Sequence, residues 1–403
     1  MPLTLWKSVP RAGGLRGAFS AGREPRPLRG AFWKGMGIMD NQTVTVPADA
    51  AHLRFFGRTA AGVLPGAVFF NWSGSGFAFR FTGTAAYARL LTDRRGDGIA
   101  AEQDRAYIGV FVDGEPVQSA RFPLDEEEKW YPLAVGLADG EHEIRVVKQT
   151  EAGYGRAAVR EIRVDGFAAP QPTAARPRRF EFIGDSITCG YGNICSNASP
   201  DFVTREENAS LTYMALLSDA LDAEFSCVAA SGNGIWHDYG GNTVNLIPEM
   251  YPCTDRMLDG HYGRQPERWD MAADPVDLVF IKLGANDWQY CSGVYLPEAE
   301  RTPETLAALR VQFADKLYAF LDEVFTLRGD VPVLYIYEQD MPLKPEITAT
   351  LARYAADHPA CRLHGVGVHP KYPHEGVGAN GHWSAATHAR VARELAAAAA
   401  ALL

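Results

Sequence analysis

Two domains of different class are predicted in this 403-residue chain: a β-sandwich of jelly-roll type over residues 40–168 and a doubly wound α/β domain over 179–403. Three observations carry that prediction. The hydrophobic pattern has a strand period in the first part, then alternates between continuous apolar runs and helical spacing in the second. A stretch rich in proline and arginine, residues 169–178, separates the two parts and reads as a linker. The length suits two or three cores of ordinary size.

In the first part, residues 68–70, 76–81, 86–91, 107–112, 143–148 and 159–164 are short and rich in β-branched or aromatic side chains. Phe77, Phe79 and Phe81 alternate, so they share one face of a strand. Turn signals punctuate these runs: Ser73-Gly74-Ser75-Gly76, Gly96-Asp97-Gly98, Asp113-Gly114 and Asp139-Gly140. Many short strands so separated indicate a sandwich or jelly roll. The linker, with its three prolines, cannot continue a strand.

Beyond the linker, residues 179–184 form a strand, and Leu211, Met214, Leu217 and Leu221 keep helical spacing. Residues 225–229 and 278–283 are continuous apolar runs, as parallel strands buried on both faces require. Thr302-Pro303-Glu304 opens a long helix to about residue 327. Residues 331–337 are a further strand, and a last helix begins after Ser384. Repeated βα units make a doubly wound sheet, whose function collects at the carboxyl ends of its strands.

Apolar residues are 47% and charged residues 22% of the chain, which excludes disordered, collagen-like and coiled-coil classes. No run is long and apolar enough to span a bilayer. A net charge of −10 argues against nonspecific nucleic-acid or anionic-membrane partners. Residues 1–39 differ from the rest, with seven basic side chains against the single Glu24 and no apolar segment of the secretory kind. They read as a basic extension, either disordered or preceding a true start at Met36 or Met39. Six cysteines without a CxxC pair give neither a disulfide scaffold nor a zinc site. A cytoplasmic location with reduced thiols is expected.

Four strand ends carry chemistry-bearing residues. The first ends in Gly184-Asp185-Ser186-Ile187-Thr188, which is either an exposed nucleophile on a tight turn or an ordinary helix cap. The second ends in Ala230-Ser231-Gly232-Asn233-Gly234, where glycine lets a backbone N–H approach a ligand. The third ends in Gly284-Ala285-Asn286-Asp287-Trp288, and an asparagine amide there can donate to an oxyanion. Before the last helix comes Gly378-Ala379-Asn380-Gly381-His382-Trp383-Ser384, a glycine-rich loop that places a histidine as a general base. Each signal alone is weak. Together they supply every part of an acyl transfer.

The order Ser186, Gly232, Asn286, His382 resembles the SGNH (GDSL-type) hydrolases. In the first part, Trp72-Ser73-Gly74-Ser75-Gly76-Phe77 and Phe81-Thr82-Gly83-Thr84 resemble the jelly-roll half of carbohydrate esterase family 2. So do residues 184–192 and Tyr239-Gly240-Gly241 in the second part. The resemblance runs from about Phe55 to the C-terminus. It implies a flavodoxin-like three-layer catalytic domain and deacetylation of O-acetylated sugars or plant-polysaccharide fragments, of xylan or mannan type, without cofactor. Ser186 would be the nucleophile, His382 the base, and the Ser186 N–H, Gly232 N–H and Asn286 amide the oxyanion donors.

The family's triad aspartate stands two residues before the histidine, where this chain has Asn380. Asn380 is therefore a candidate to orient His382 through its amide oxygen; a backbone carbonyl and Glu375 are the alternatives. Trp288, Trp236 and Tyr191 are candidates to line a sugar-binding mouth. His364, His369 and His374 match no zinc spacing, so no metal is expected. Cys189 lacks an activating partner and reads as a packed thiol. Two rival functions remain at this level: a carbohydrate-binding protein without turnover, favoured by Asn380, and a sugar transacetylase.

Overall fold

The computed structural model describes residues 42–95, 98–195 and 202–403; the basic extension 1–39 and the turn expected at Gly96-Asp97 lie outside the described residues. Two long strands, Gly76–Leu91 and Glu128–Lys148, pair antiparallel and organise the N-terminal half. The sequence pattern suggests shorter pieces, residues 76–81, 86–91 and 143–148, with a turn at Asp139-Gly140. Gly83 and Asp139-Gly140 are instead irregularities inside continuous strands. A Cβ at Gly83 would fall 1.9 Å from the Asp165 carbonyl oxygen, so glycine there admits a crossing backbone. Between Val135 and Gly140 the register shifts and the strand continues, so no hairpin forms.

Ala158–Asp165 flanks one side of this pair and Tyr107–Val112 the other, again antiparallel. The alternating aromatics Phe77, Phe79 and Phe81 are buried against Ile108, Val110, Ile144, Val146, Ile162 and Val164. The linker expectation needs correction. Gln171–Pro172 pairs with Arg80 and Phe79, so the sheet runs through part of the stretch read as linker. An edge position tolerates proline because the missing N–H need not serve the ladder.

The C-terminal half holds five parallel strands, Arg178–Gly184, Ala223–Ala229, Leu278–Lys282, Val333–Glu338 and Leu363–Val368, in spatial order 2-1-3-4-5. Every residue of the second and third strands is buried, because both faces are covered. Phe313, Leu317 and Phe320 of helix Pro303–Arg328 and Ile347 and Leu351 of helix Lys344–Asp357 pack on one face. Met214 and Leu217 of helix Tyr213–Ala220 and Val391 and Leu395 of helix Ala385–Ala400 pack on the other. Thr302 and Ser384 cap their helices through side-chain oxygens, the former followed by proline at the first position. The chain leaves the first strand toward the second and the third toward the fourth, in opposite directions along the sheet, so the order reverses between the first and third strands at their carboxyl ends.

The halves are joined by buried polar contacts. Arg58 of the β domain donates to Glu181 on the first parallel strand at 2.9 Å and to the carbonyls of Tyr251 and Cys253. Arg328 grips the same carboxylate from the long helix. Burial pushes Glu181 up, but the two guanidinium groups outweigh it and hold it below the usual carboxylate range. Trp72 Nε1 donates to the Thr254 carbonyl and Asn71 to Asp255, each at 2.8 Å. Gly74, at φ +78°, lies so close to the Phe225 ring that a Cβ would fall 2.5 Å from it. That glycine lets the two halves close on each other.

Candidate active site

The first parallel strand ends at Gly184, where a Cβ would fall 2.0 Å from Thr188 Oγ1; only glycine lets the turn fold back so tightly. Asp185 then caps the one-turn helix Ser186–Cys189, its carboxylate accepting the Ile187 N–H at 3.1 Å. The cap is thus Asp185, which leaves the Ser186 hydroxyl available. Ser186 is 8% exposed, nearly buried just past the carboxyl end of the first strand.

His382 Nε2 lies 2.8 Å from Ser186 Oγ. The other ring nitrogen, Nδ1, lies 2.9 Å from the Ala379 carbonyl oxygen. A carbonyl can only accept, so Nδ1 carries the proton and Nε2 presents a lone pair to the serine hydroxyl. The turn Ala379–Gly381 makes this possible, because the Ala379 carbonyl also accepts the His382 backbone N–H at 3.0 Å. One oxygen therefore fixes both the backbone and the ring.

This corrects the expectation for Asn380. Its side chain does not orient His382; Nδ2 donates to the Tyr191 hydroxyl at 3.0 Å. The physical reason is the turn, which holds Asn380 in the left-handed region at φ +50° while the preceding carbonyl reaches the ring. Glu375 does not reach the histidine either. Its carboxylate accepts from Arg390 Nε at 2.6 Å and from Thr387 Oγ1 at 2.9 Å, and these bonds overcome burial to draw its pKa down to about 2.

Gly232 follows the second strand at φ +79°, and a Cβ there would meet nothing nearer than Tyr239 Cβ at 3.9 Å. Conformation, not crowding, demands glycine at this position. The Asn286 amide donates one hydrogen to the Asn233 carbonyl at 2.8 Å and keeps a second for a ligand. Gly232 and Asn286 thus belong to turns tied together by one bond, beside the turn that carries Ser186. The Ala230 N–H closes that junction on the Gly184 carbonyl at 3.4 Å.

Asp287 contributes from beneath, a role legible only as the last letter of the Asn286-Asp287 pair. Its buried carboxylate accepts the N–H groups of Ile235, Trp236 and His237 and so shapes the loop after Gly232. Burial pushes its pKa up to about 6 against those three bonds.

The three aromatic candidates separate. Tyr191 stands at the site, its ring 4.5 Å from the His382 ring and stacked on Phe202 at 3.8 Å. Trp236 packs edge-on against Tyr290 and lines a cavity of about 380 Å³ with Leu246, Lys316 and Phe320. Trp288 packs against the core beneath Arg310, whose guanidinium lies 5.0 Å from its ring. That cation covers one face of the half-buried ring. Cys189 is fully buried, and burial raises its thiol well above the ordinary range.

Burial also lowers the pKa of His382 below its ordinary value of 6.5, with the bond to the Ala379 carbonyl opposing only in part. The neutral imidazole is the form that accepts a proton. A lowered pKa therefore keeps the base competent to more acid pH. The acid limb of kcat/KM for an aryl acetate is expected to have its midpoint below 6.5, with a plateau above it. A midpoint above neutrality in a pH–rate profile contradicts this environment for His382.

Residues 180–395 match the family model for GDSL-like lipase/acylhydrolase, and residues 55–172 match carbohydrate esterase 2 N-terminal. Over 225 residues the chain is 32% identical to the cellulase/esterase CelE of Acetivibrio thermocellus, covering 54% of this chain and 24% of that protein. Over 249 residues it is 25% identical to an acetylxylan esterase/glucomannan deacetylase of Cellvibrio japonicus, covering 62% of this chain and 64% of that one. The chain therefore spans less than two thirds of the length of either relative. A crystal structure of a family two carbohydrate esterase from Clostridium thermocellum in complex with cellohexaose superposes with a TM-score of 0.71 at 24% identity. That alignment covers 87% of this chain and 100% of the other.

Proposed function

The chain belongs to the GDSL-like lipase/acylhydrolase family and carries a carbohydrate esterase 2 N-terminal domain, and from that premise we propose that it is a serine esterase removing acetyl groups from acetylated oligo- or polysaccharides. One observation carries the reading: the Ser186 hydroxyl lies 2.8 Å from an imidazole nitrogen whose tautomer is fixed from the opposite side. A site that only bound glycan has no need of that alignment.

In the proposed reaction His382 Nε2 takes the Ser186 proton as Oγ bonds to the acetyl carbonyl carbon, and the carbonyl oxygen becomes an oxyanion. The Ser186 N–H, the Gly232 N–H and the free hydrogen of the Asn286 amide are the donors suited to hold it. Collapse breaks the bond to the sugar oxygen, which receives the proton from His382. Water then attacks the acetyl-enzyme with His382 again as base, releasing acetate and restoring Ser186. The imidazolium formed in each step is stabilised by the Ala379 carbonyl dipole in place of a carboxylate. Tyr191 is suited to contact the departing sugar, since its ring borders His382.

The substrate class rests on a relative that is an acetylxylan esterase/glucomannan deacetylase and on a structural neighbour in complex with cellohexaose. The β domain is read as a jelly roll that braces the catalytic half, and the protein as cytoplasmic. The test is acetate release from acetylated xylan and glucomannan oligosaccharides, followed alongside binding of the same oligosaccharides. Release of acetate with the sugar chain left intact is the expected result. Binding by folded protein without release would move the assignment to a carbohydrate-binding protein.

A further inference from the structure

The loop that presents Gly232 is held by a residue from the other domain. Glu151, 2% exposed, follows the long strand Glu128–Lys148 of the β half. Its Oε2 accepts the Ser231 N–H at 2.7 Å, and its Oε1 accepts the Ser231 hydroxyl. Ser231 immediately precedes Gly232. The same carboxylate has an oxygen within 4.8 Å of the Cys189 sulfur, at the far end of the one-turn helix that begins with Ser186. Glu151 thus sits between the turn carrying the nucleophile and the turn carrying an oxyanion donor.

Glu151 is itself firmly placed. Its N–H donates to Glu207 Oε2 at 3.1 Å, and its carbonyl accepts from the buried Lys148 ammonium at 2.9 Å. Lys148 also donates to the Thr150 carbonyl at 2.8 Å, and the Ala209 N–H binds the Gln149 carbonyl at 2.9 Å. Residues 148–151 are therefore clamped from both domains. Glu151, Cys189 and Glu207 lie together here, and each Glu151 oxygen holds one group of Ser231.

We propose that Glu151 is a positioning residue for acyl transfer: bidentate capture of Ser231 aims the Gly232 N–H at the oxyanion, so that the β domain completes the catalytic geometry of the α/β domain. The inference rests on the serine-esterase reading above. It differs from a merely cohesive role for the domain contact, because the Gly232 N–H lies in the Ser231–Gly232 peptide plane and is aimed by how Ser231 is held.

The experiment compares wild-type full chain, Glu151→Ala, Glu151→Gln and Ser231→Ala on 4-nitrophenyl acetate, with kcat expressed per active site titrated by the nitrophenolate burst. A structural defect lowers the number of titratable sites; a positioning defect lowers turnover per site. Glu151→Ala is expected to lose on the order of 10²-fold in per-site kcat with KM within about twofold. Glu151→Gln should recover most of that loss, because its amide oxygen can accept the Ser231 N–H and its NH₂ can donate to Ser231 Oγ. Ser231→Ala approaches the same contact from the other domain and serves if Glu151→Ala does not fold; about a tenfold loss in per-site kcat is expected. Per-site kcat within about threefold of wild type in the folded variants, or Glu151→Gln as impaired as Glu151→Ala, overturns the proposal. An inert wild type overturns the esterase reading itself, which is a separate result.

Discussion

Ser186→Ala is expected to lower kcat for an aryl acetate by about 10⁵- to 10⁶-fold while leaving the fold intact. The hydroxyl is the atom that forms the acyl bond, and no neighbour can replace it. The Thr188 hydroxyl is fully buried on the Tyr213 hydroxyl at 2.9 Å, and Cys189 is buried with its thiol held protonated. The substitution removes no cap, since Asp185 caps the one-turn helix. His382→Ala should cost a comparable factor, and the double variant little more, because serine and histidine act as one unit. Burst and steady-state measurements with a thermal-unfolding check decide the matter. Wild-type-like turnover by folded Ser186→Ala would place the chemistry elsewhere.

Asn286→Ala is expected to slow kcat by about 10²- to 10³-fold, some 3–4 kcal/mol of barrier, with little change in KM. The amide already spends one hydrogen on the Asn233 carbonyl. The second gains its full value only when the acetyl oxygen becomes charged, which is why the loss belongs to kcat. Asn286 is 8% exposed, so water cannot readily fill the gap and substitute as donor. Asn286→Asp is the sharper variant, since a carboxylate beside the oxyanion repels the charge it should hold. Turnover within about threefold of wild type in Asn286→Ala removes this residue from the oxyanion site.

Much of this site was legible because it is local. Gly184-Asp185-Ser186 and Asn286-Asp287 each follow an apolar run, and a strand that ends at a glycine or asparagine turn announces itself in a few adjacent letters. The five-stranded sheet was legible for its first four strands for the same reason. The fifth, Leu363–Val368, was not: with Gly365 and Gly367 and a largely uncovered edge, its pattern lacks the continuous apolar signature of its neighbours. In the β half, Gly76–Leu91 looked like two short strands although Gly83 serves a crossing backbone and not a turn, and of Glu128–Lys148 only residues 143–148 showed a strand pattern.

The sequence by itself determined the chemistry available: a serine, a histidine, a glycine and an asparagine at strand ends, and the absence of an aspartate two positions before the histidine. Tertiary structure alone decided how those groups are held. The orienter of His382 is a main-chain carbonyl, which every residue possesses and no letter can signal; the turn at residues 379–381 selects Ala379 and sends Asn380 to Tyr191. Arg310, 22 positions away in sequence, meets the Trp288 ring only through the packing of the long helix. Glu151 and Ser231, separated by 80 positions, meet only because two domains close across Gly74. Side-chain type and local turn propensity are written residue by residue, whereas hydrogen-bond partners depend on which distant backbone the packed core brings within 3 Å.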